Sequence, residues 1–207
     1  MPSSEQWSAA FYDRLGAEGL AARTAPSWDD RTLGRLREML TPGQRVLDAG
    51  CGYGRIAIPL ARSGFEVTGL DVSADALVKG RRLADEQQLQ IRWLCRSMLE
   101  APVVGRFDLV YSCGSVHHLP RRDRDRLFRR LRLLTAPGGL HAHIVFTDRM
   151  IYRERGEEID YFTAGELPRL FDGWSILADE DLKISCAQDG LRHAHSVQRL
   201  VVARPPN

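Results

Sequence analysis

The sequence lacks every feature that would place it in a special class. No apolar run approaches the roughly 20 residues that cross a membrane as a helix. Net charge is only +2 over 207 residues, too little of one sign to draw the chain to nucleic acid or an anionic membrane. The opening stretch MPSSEQWSAAFYDRL has no basic-then-apolar signal pattern, so a cytoplasmic location is expected. The four cysteines, Cys51, Cys95, Cys113 and Cys186, include no C-x-x-C pair, which argues against zinc. A chain of this size can bury a core without a disulfide framework. Reduced, mostly buried thiols and no metal are expected. No internal repeat and no low-complexity tract interrupts the chain.

What is present is ordinary in bulk: 43% hydrophobic and 27% charged residues, typical of a globular domain. The first forty residues read as helical, ending in SWDDRTLGRLREML with Ser27 or Asp29 as cap. A turn at Thr41 to Gln44 opens a strand-helix alternation. Strands are expected at Arg45–Ala49, Phe65–Leu70, Ile91–Cys95, Arg106–Ser112 and Leu140–Phe146. Helices are expected over GRIAIPLARSG, closed by Gly64 with Pro59 kinking it, over ADALVKGRRLADEQQ behind the cap Ser73, and over RRDRDRLFRRLRLL with Leu127, Leu131 and Leu134 inward. Thr163 and Glu166 have the form of a capping box. WSILADEDLKIS and HSVQRLVVAR close the chain as a hairpin around Asp189-Gly190. Alternating strands and helices mean a doubly wound, mostly parallel α/β sheet of about seven strands.

In such sheets ligands bind beyond the carboxyl ends of the strands. Gly50, Gly52 and Gly54 follow the first strand in VLDAGCGYGR, where a bare backbone lets a ligand approach. The spacing is G-x-G-x-G, and Arg55 stands where the third glycine of a dinucleotide fingerprint would fall. Asp48 precedes the glycines. It would repel a pyrophosphate and attract an ammonium group. Asp71 ends the second strand in VTGLDVS, placed to accept from ribose hydroxyls. A nucleoside joined to an amino acid, as in S-adenosylmethionine, meets both demands.

The motifs VLDAGCGYGR, VTGLDVS, FDLVYSCGSVHHL and LTAPGGLHAHIVF, in this order, resemble those of class I S-adenosylmethionine-dependent methyltransferases. YFTAGELPRLFDGW and DGLRHAHSVQRLVVAR resemble the tail of the small tellurite-resistance-B-like members. The resemblance implies a Rossmann-like sheet of order 3-2-1-4-5-7-6 with the last strand antiparallel. It implies one methyltransferase domain over 41–207. The segment 1–40 before it, with Tyr12, Arg23 and Trp28, reads as a helical lid, its aromatics equally as ordinary helix packing. The resemblance puts Asp48 near the methionine amino group, and Tyr53 and Arg55 near the carboxylate. Gly50, Gly52 and Gly54 lie under the cofactor, Asp71 on the ribose, and Val72 on the adenine face. Ser97 and Met98 fall at the adenine edge, where Ser97 stands in place of an acid. Ser112, Cys113 and His117 flank the methionine and the sulfonium. The cofactor is then S-adenosylmethionine, leaving as S-adenosylhomocysteine.

An alcohol, phenol or amine acceptor can need a base, whereas a thiolate or metalloid oxyanion hardly does. His141 and His143 share one strand face and read as structural. His117 reads as lining the site. If the sixth strand is parallel to the others, its following turn hangs over the carboxyl edge. His193, His195 and Arg192 then face the acceptor, with Thr147, Asp148, Arg149 and Tyr152 nearby. His117, His193 and His195 are the candidates for acceptor positioning or base. The expected partner is a small molecule: a thiol, a metalloid oxyanion, or O or N of a specialised metabolite. Neither nucleic acid nor membrane is expected, and the chain is a monomer or homodimer. Three rivals stand beside this reading. One is an RNA methyltransferase gripping phosphates with Arg121, Arg122, Arg124, Arg126, Arg129, Arg130 and Arg132, although that basic face is expected to point to solvent. The others are a nicotinamide-dependent oxidoreductase and a non-enzymatic cofactor-binding regulator.

Overall fold

A computed structural model describes residues 30–100, 104–152, 159–186 and 192–206. The expected lid residues Tyr12, Arg23 and Trp28, the caps Ser27 and Asp29, and the Asp189-Gly190 turn lie outside these. The elements are α1 (Asp30–Met39), β1 (Arg45–Ala49), α2 (Ala57–Arg62), β2 (Glu66–Asp71), α3 (Ala74–Asp85), β3 (Ile91–Cys95), β4 (Phe107–Cys113), a 3-10 turn (Val116–His118), α4 (Arg121–Leu133), β5 (Thr135–Phe146), α5 (Glu166–Arg169), β6 (Ser175–Cys186) and β7 (His193–Ala203). Strand order is β3-β2-β1-β4-β5-β7-β6, as the sequence motifs imply. The chain divides into two compact units, residues 1–101 and 102–207.

In the first unit β1 and β2 run parallel, with Asp48 opposite Gly69, and β2 and β3 run parallel, with Asp71 opposite Cys95. Their carboxyl ends therefore share one edge. Val46, Leu47, Val67 and Leu70 are buried, the continuous apolar pattern of a sheet covered on both faces. Ser73 Oγ accepts from the Ala76 N–H at 3.2 Å and so starts α3. Ala76, Leu77, Gly80 and Ala84 form the buried side of α3. Arg81 is exposed. A Cβ on Gly80 would stand 2.7 Å from the Tyr53 carbonyl oxygen and 2.9 Å from Trp93. The helix meets backbone there. Gly80→Ala is expected to cost about 1–3 kcal/mol by overpacking, read as a lowered denaturant midpoint.

Helix α2 departs from expectation. It begins at Ala57, not at Gly54, and Pro59 is its third residue. A proline in the first turn forfeits no helical hydrogen bond and forces no kink. Gly64 does follow its end, with φ at +88°.

In the second unit β4 and β5 are parallel, with Ser112 opposite His143. Strand β7 is antiparallel to both β5 and β6, so β6 runs the same way as β4 and β5. Cys186 is paired with His193, which brings the β6–β7 end to the edge where β5 finishes. Strand β5 is longer than expected, because Thr135–Gly139 already belong to it.

Helix α4 buries Leu127, Phe128 and Leu131, while Leu134, expected inward, is half-buried just beyond it. Its arginines do not all face solvent. Arg124 is buried with Glu166 at 2.5 Å and the Phe162 ring at 3.7 Å. Arg132 donates to the Leu170 and Asp172 carbonyls. These guanidiniums tie α4 to residues 160–174, which explains part of the charge run that reads as a solvated face in sequence. The half of the capping box that forms is the acid's: Glu166 Oε2 accepts from the Thr163 N–H at 3.0 Å. The helix cap itself is Gly165.

Candidate cofactor cradle and acceptor cluster

The turn after β1 is shaped by its glycines. Gly50, Gly52 and Gly54 all have positive φ, at +78°, +54° and +87°. A Cβ at Gly54 would also lie 2.6 Å from Trp93. The backbone is thus bare by construction, and the Gly50 and Cys51 N–H groups both donate to the Leu70 carbonyl.

Asp71 closes this turn. Its Oδ2 accepts from the Gly52 N–H at 2.8 Å and its Oδ1 from the Ser73 N–H at 2.9 Å. Burial raises its pKa, opposed by the N–H groups of Ser73, Gly52 and Val72. Each oxygen keeps further lone-pair capacity, so a fixed carboxylate is presented to a diol. Asp48 is buried at the end of β1. The Cys51 thiol is pushed well up by burial and by Asp48 and Asp71. It stays protonated and is no nucleophile. Tyr53 is buried, while Arg55 and Val72 are half-buried. Ser97 Oγ accepts from the Leu99 N–H at 3.2 Å, which leaves it lone-pair capacity for an amino group. Ser97 and Met98 are half-buried. The donor set fits a cofactor with an ammonium group and a ribose diol: a carboxylate for each, beside bare backbone.

The second unit gathers a different group. The His117 ring stacks on Phe146 at 4.2 Å, and Phe146 stacks on His195 at 4.3 Å. His193 meets His195 edge-on, with Nε2 to Nε2 at 2.9 Å. Tyr152 stacks on His193 at 3.7 Å, held by Tyr161, whose hydroxyl donates to the Tyr152 carbonyl at 2.7 Å. The three histidines singled out in sequence therefore sit in one cluster, together with Phe146, which sequence did not mark. His117 Nδ1 accepts from the Phe146 N–H at 3.2 Å, so its Nε2 carries the proton. Burial, then His118, Arg124 and His195, hold its pKa well below the usual value. It is a neutral spacer.

Thr147 shares a 2.6 Å hydrogen bond with Ser196, and Arg149 pairs with Asp181 at 2.5 Å. Asp148 donates its N–H to the Phe162 carbonyl, and Arg192 is exposed. Cys113 is half-buried.

Ser112 begins a buried chain. Its Oγ lies 2.6 Å from His143 Nδ1, His143 Nε2 lies 2.9 Å from His141 Nδ1, and His141 Nε2 lies 2.6 Å from Thr135 Oγ1. Thr135 donates its proton to the Leu131 carbonyl at 2.9 Å. Each link then has one donor only if both rings are neutral and protonated at Nε2. His141 and His143 are buried, with both nitrogens of each ring engaged inside this chain of hydrogen bonds.

Residues 46–139 match the family described as Methyltransferase domain. Residues 46–139 thus carry a methyltransferase domain. An inferred methyltransferase of Geobacillus sp. (strain WCH70) is 32% identical over 166 residues, 74% of this chain and 65% of the relative. A ubiquinone biosynthesis O-methyltransferase of Coxiella burnetii is 32% identical over 104 residues, 50% of this chain and 44% of the relative. The chain thus spans about half to two thirds of the length of these relatives. The methyltransferase domain also shares its fold with TehB from Haemophilus influenzae, at TM-score 0.75 and 18% identity over 84% of this chain and 61% of that one. Magnesium protoporphyrin IX methyltransferase from Synechocystis, crystallised with bound S-adenosylmethionine, superposes at TM-score 0.70 and 18% identity over 99% and 98%. No helix among the described residues is long and apolar enough to cross a membrane.

Proposed function

We propose that the protein transfers the methyl group of S-adenosylmethionine to an oxygen of a small-molecule acceptor. The observation that carries the cofactor part is Asp71, fixed by two backbone N–H groups beside three glycines of positive φ. S-adenosylmethionine supplies an activated methyl on a sulfonium. The chain's own residues bind and orient. Asp71 takes the ribose hydroxyls, and Asp48 attracts the ammonium group. Tyr53 and Arg55 lie toward the carboxylate, and Val72, Ser97 and Met98 toward the adenine. Ser112, Cys113 and His117 line the methionine side, and His193 and His195 meet the acceptor.

Oxygen is favoured over a thiol or metalloid oxyanion by the named O-methyltransferase among the relatives and by the histidine cluster, which a pre-ionised acceptor would not need. A small acceptor is favoured over RNA because Arg121, Arg124 and Arg132 are spent on residues 160–174.

Calorimetric titration with S-adenosylhomocysteine tests the cofactor. Wild type is expected to bind, and Asp71→Ala to bind about tenfold or more weakly, about 1.4 kcal/mol. No binding by folded wild type would refute the reading. Titration with nicotinamide dinucleotides then tests the oxidoreductase rival. Release of S-adenosylhomocysteine with hydroxylated acceptors separates an enzyme from a regulator.

A further inference from the structure

We propose that Trp93 is a positioning residue for the cofactor, its indole being the prop on which the turn of residues 50–54 rests. This builds on the cofactor reading above. The indole fills space that glycines on three other elements leave open. A Cβ at Gly69 on β2 would lie 3.1 Å from the ring, one at Gly80 on α3 2.9 Å, and one at Gly54 at the end of the turn 2.6 Å. Protein interiors pack at crystal density, so one ring and three missing side chains are a single fit.

The strand register explains why the ring reaches so far. Gly69 stands opposite Asp48 on one side and Trp93 on the other. Asp48, Gly69 and Trp93 thus form one row across β1, β2 and β3, on one face of the sheet. Gly69 has no side chain to block the row, so the indole lies across β2 toward β1. Its outermost carbon, Cη2, is the atom that approaches both Gly54 and Gly80.

Hydrogen bonds to β2 fix the first half of the turn. The Gly50 and Cys51 N–H groups donate to the Leu70 carbonyl, and the Gly52 N–H donates to Asp71 Oδ2. The second half is packed. A Cβ on Gly54 would meet the Ile58 side chain at 3.2 Å on one side and the indole on the other, and a Cβ on Gly80 would meet the Tyr53 carbonyl oxygen at 2.7 Å. Without the ring, Tyr53 and Gly54 lose the support that holds them at the height where Gly52 meets Asp71. The bare backbone then no longer stands at one fixed distance from the ribose carboxylate. Trp93 touches no part of the ligand in this account. It acts through Gly54 and Tyr53.

The position of Trp93 separates this role from core filling. It is half-buried, and β3 is the outermost strand at its end of the sheet. Truncating it opens a slot that water can enter, not a sealed void, so the loss of stability is smaller than for a fully buried ring. A supporting group that lets a binding surface shift by about 1 Å can still cost a large factor in function.

The test is calorimetric titration of the full-length protein with S-adenosylhomocysteine, at a temperature where circular dichroism shows each variant folded. Trp93→Ala is expected to bind about tenfold or more weakly than wild type. Free indole at saturation should refill the slot and restore most of that affinity, while leaving wild type unchanged. Trp93→Phe keeps a ring over Gly69 that is too short to reach Gly54 and Gly80. It should fall between the two, and it serves alone if the alanine variant does not fold. Val67→Ala truncates a buried residue of β2 in the same unit. It should lower the denaturant midpoint and leave the affinity as in wild type. Four results overturn the proposal while the cofactor reading stands: unchanged affinity in the folded Trp93 variants, an affinity of Trp93→Ala that indole does not raise, an equal effect of indole on wild type, or equal weakening by Val67→Ala. Failure of wild type to bind S-adenosylhomocysteine refutes the cofactor reading first, and the prop loses its role with it.

Discussion

Stability is expected to fall steeply as the pH is lowered from 6.5, and His143 to carry a large share of the fall. Burial lowers its pKa from 6.5 to about 3. In that window the unfolded chain binds a proton that the folded chain does not, so stability rises with pH there. The contribution is complete above 6.5 and is lost progressively down to about 3. One such group gives a slope of about 1.4 kcal/mol per pH unit, or about 2.7 kcal/mol over two units. His141, buried beside it, and His117 are also held well below their usual value, chiefly by burial, and act in the same direction. Against a net stability of roughly 5–15 kcal/mol for a typical domain, this is enough to unfold the protein in mild acid.

The cause is visible in the hydrogen bonds. A protonated His143 would carry a proton at both nitrogens. It could then no longer accept from Ser112 at Nδ1 while donating to His141. Its ring is also packed against Phe128 and Phe171, where no water can solvate a charge. His143→Gln should be less stable at pH 7, since it loses that packing. Its stability should nevertheless vary less with pH, by about one proton's slope. Guanidinium midpoints measured for both proteins between pH 7 and pH 4.5 decide it. Equal slopes would mean that His143 is not held neutral by the fold.

Local chemistry made most of the sheet legible. Strands β1 and β3 fall where the apolar runs between turn residues place them, and Ser73 caps α3 as its position before an alanine-rich run indicates. The cradle was legible for the same reason: glycine spacing and two strand-terminal acids are local signals. Helix α2 was misjudged because the positive φ at Gly54 holds the chain in a turn for two further residues, which moves Pro59 into the first helical turn. The acceptor cluster was half legible. Two histidines at alternate positions on a strand must share a face. That His195 lies on Phe146, and Phe146 on His117, depends on the β5–β7 register pairing Phe146 with Val197, which no local pattern reveals. The chain from Ser112 to Thr135 likewise needs Ser112 opposite His143.

Arg124 is the instructive miss. Its spacing to Phe128 and Leu131 is that of the buried stripe of α4, yet its charge argued for solvent. Glu166, its partner, lies 42 residues away. Glu166→Ala is expected to be the most destabilising side-chain truncation in the second unit, at about 3–5 kcal/mol. The carboxylate joins three things. Its Oε1 holds Arg124 at 2.5 Å, and its Oε2 holds Arg121 at 2.6 Å and the Thr163 N–H at 3.0 Å. Removing it strands the Arg124 guanidinium, whose side chain is only 2% exposed. What then remains around that guanidinium is the Phe162 ring, the Asp160 and Tyr161 carbonyls, and a more distant Asp160 carboxylate at 3.8 Å. An unpaired buried charge costs far more than the pair contributes. The double variant Arg124→Met/Glu166→Leu is therefore expected to recover most of the loss, and a double-mutant cycle on denaturant midpoints reads the difference.

Acid should weaken the same contact. Burial pushes the Glu166 pKa up, but the Thr163 N–H and the Arg124 hydrogen bond and charge outweigh it, and the net shift is downward. Its stabilisation is thus present above the ordinary carboxylate range and lost as the pH falls through the lowered value. The effect reaches the acceptor cluster through Asp160. Its N–H donates to the His117 carbonyl at 2.9 Å, and its Oδ2 accepts from the Arg121 N–H at 2.6 Å. Loosening residues 160–166 releases the turn that carries His117, the first ring of the stack ending at His195. Glu166→Ala at a temperature where it stays folded should therefore shift the imidazole NMR signals of His117 and His195 relative to wild type. Unchanged signals would place Glu166 in general stability alone.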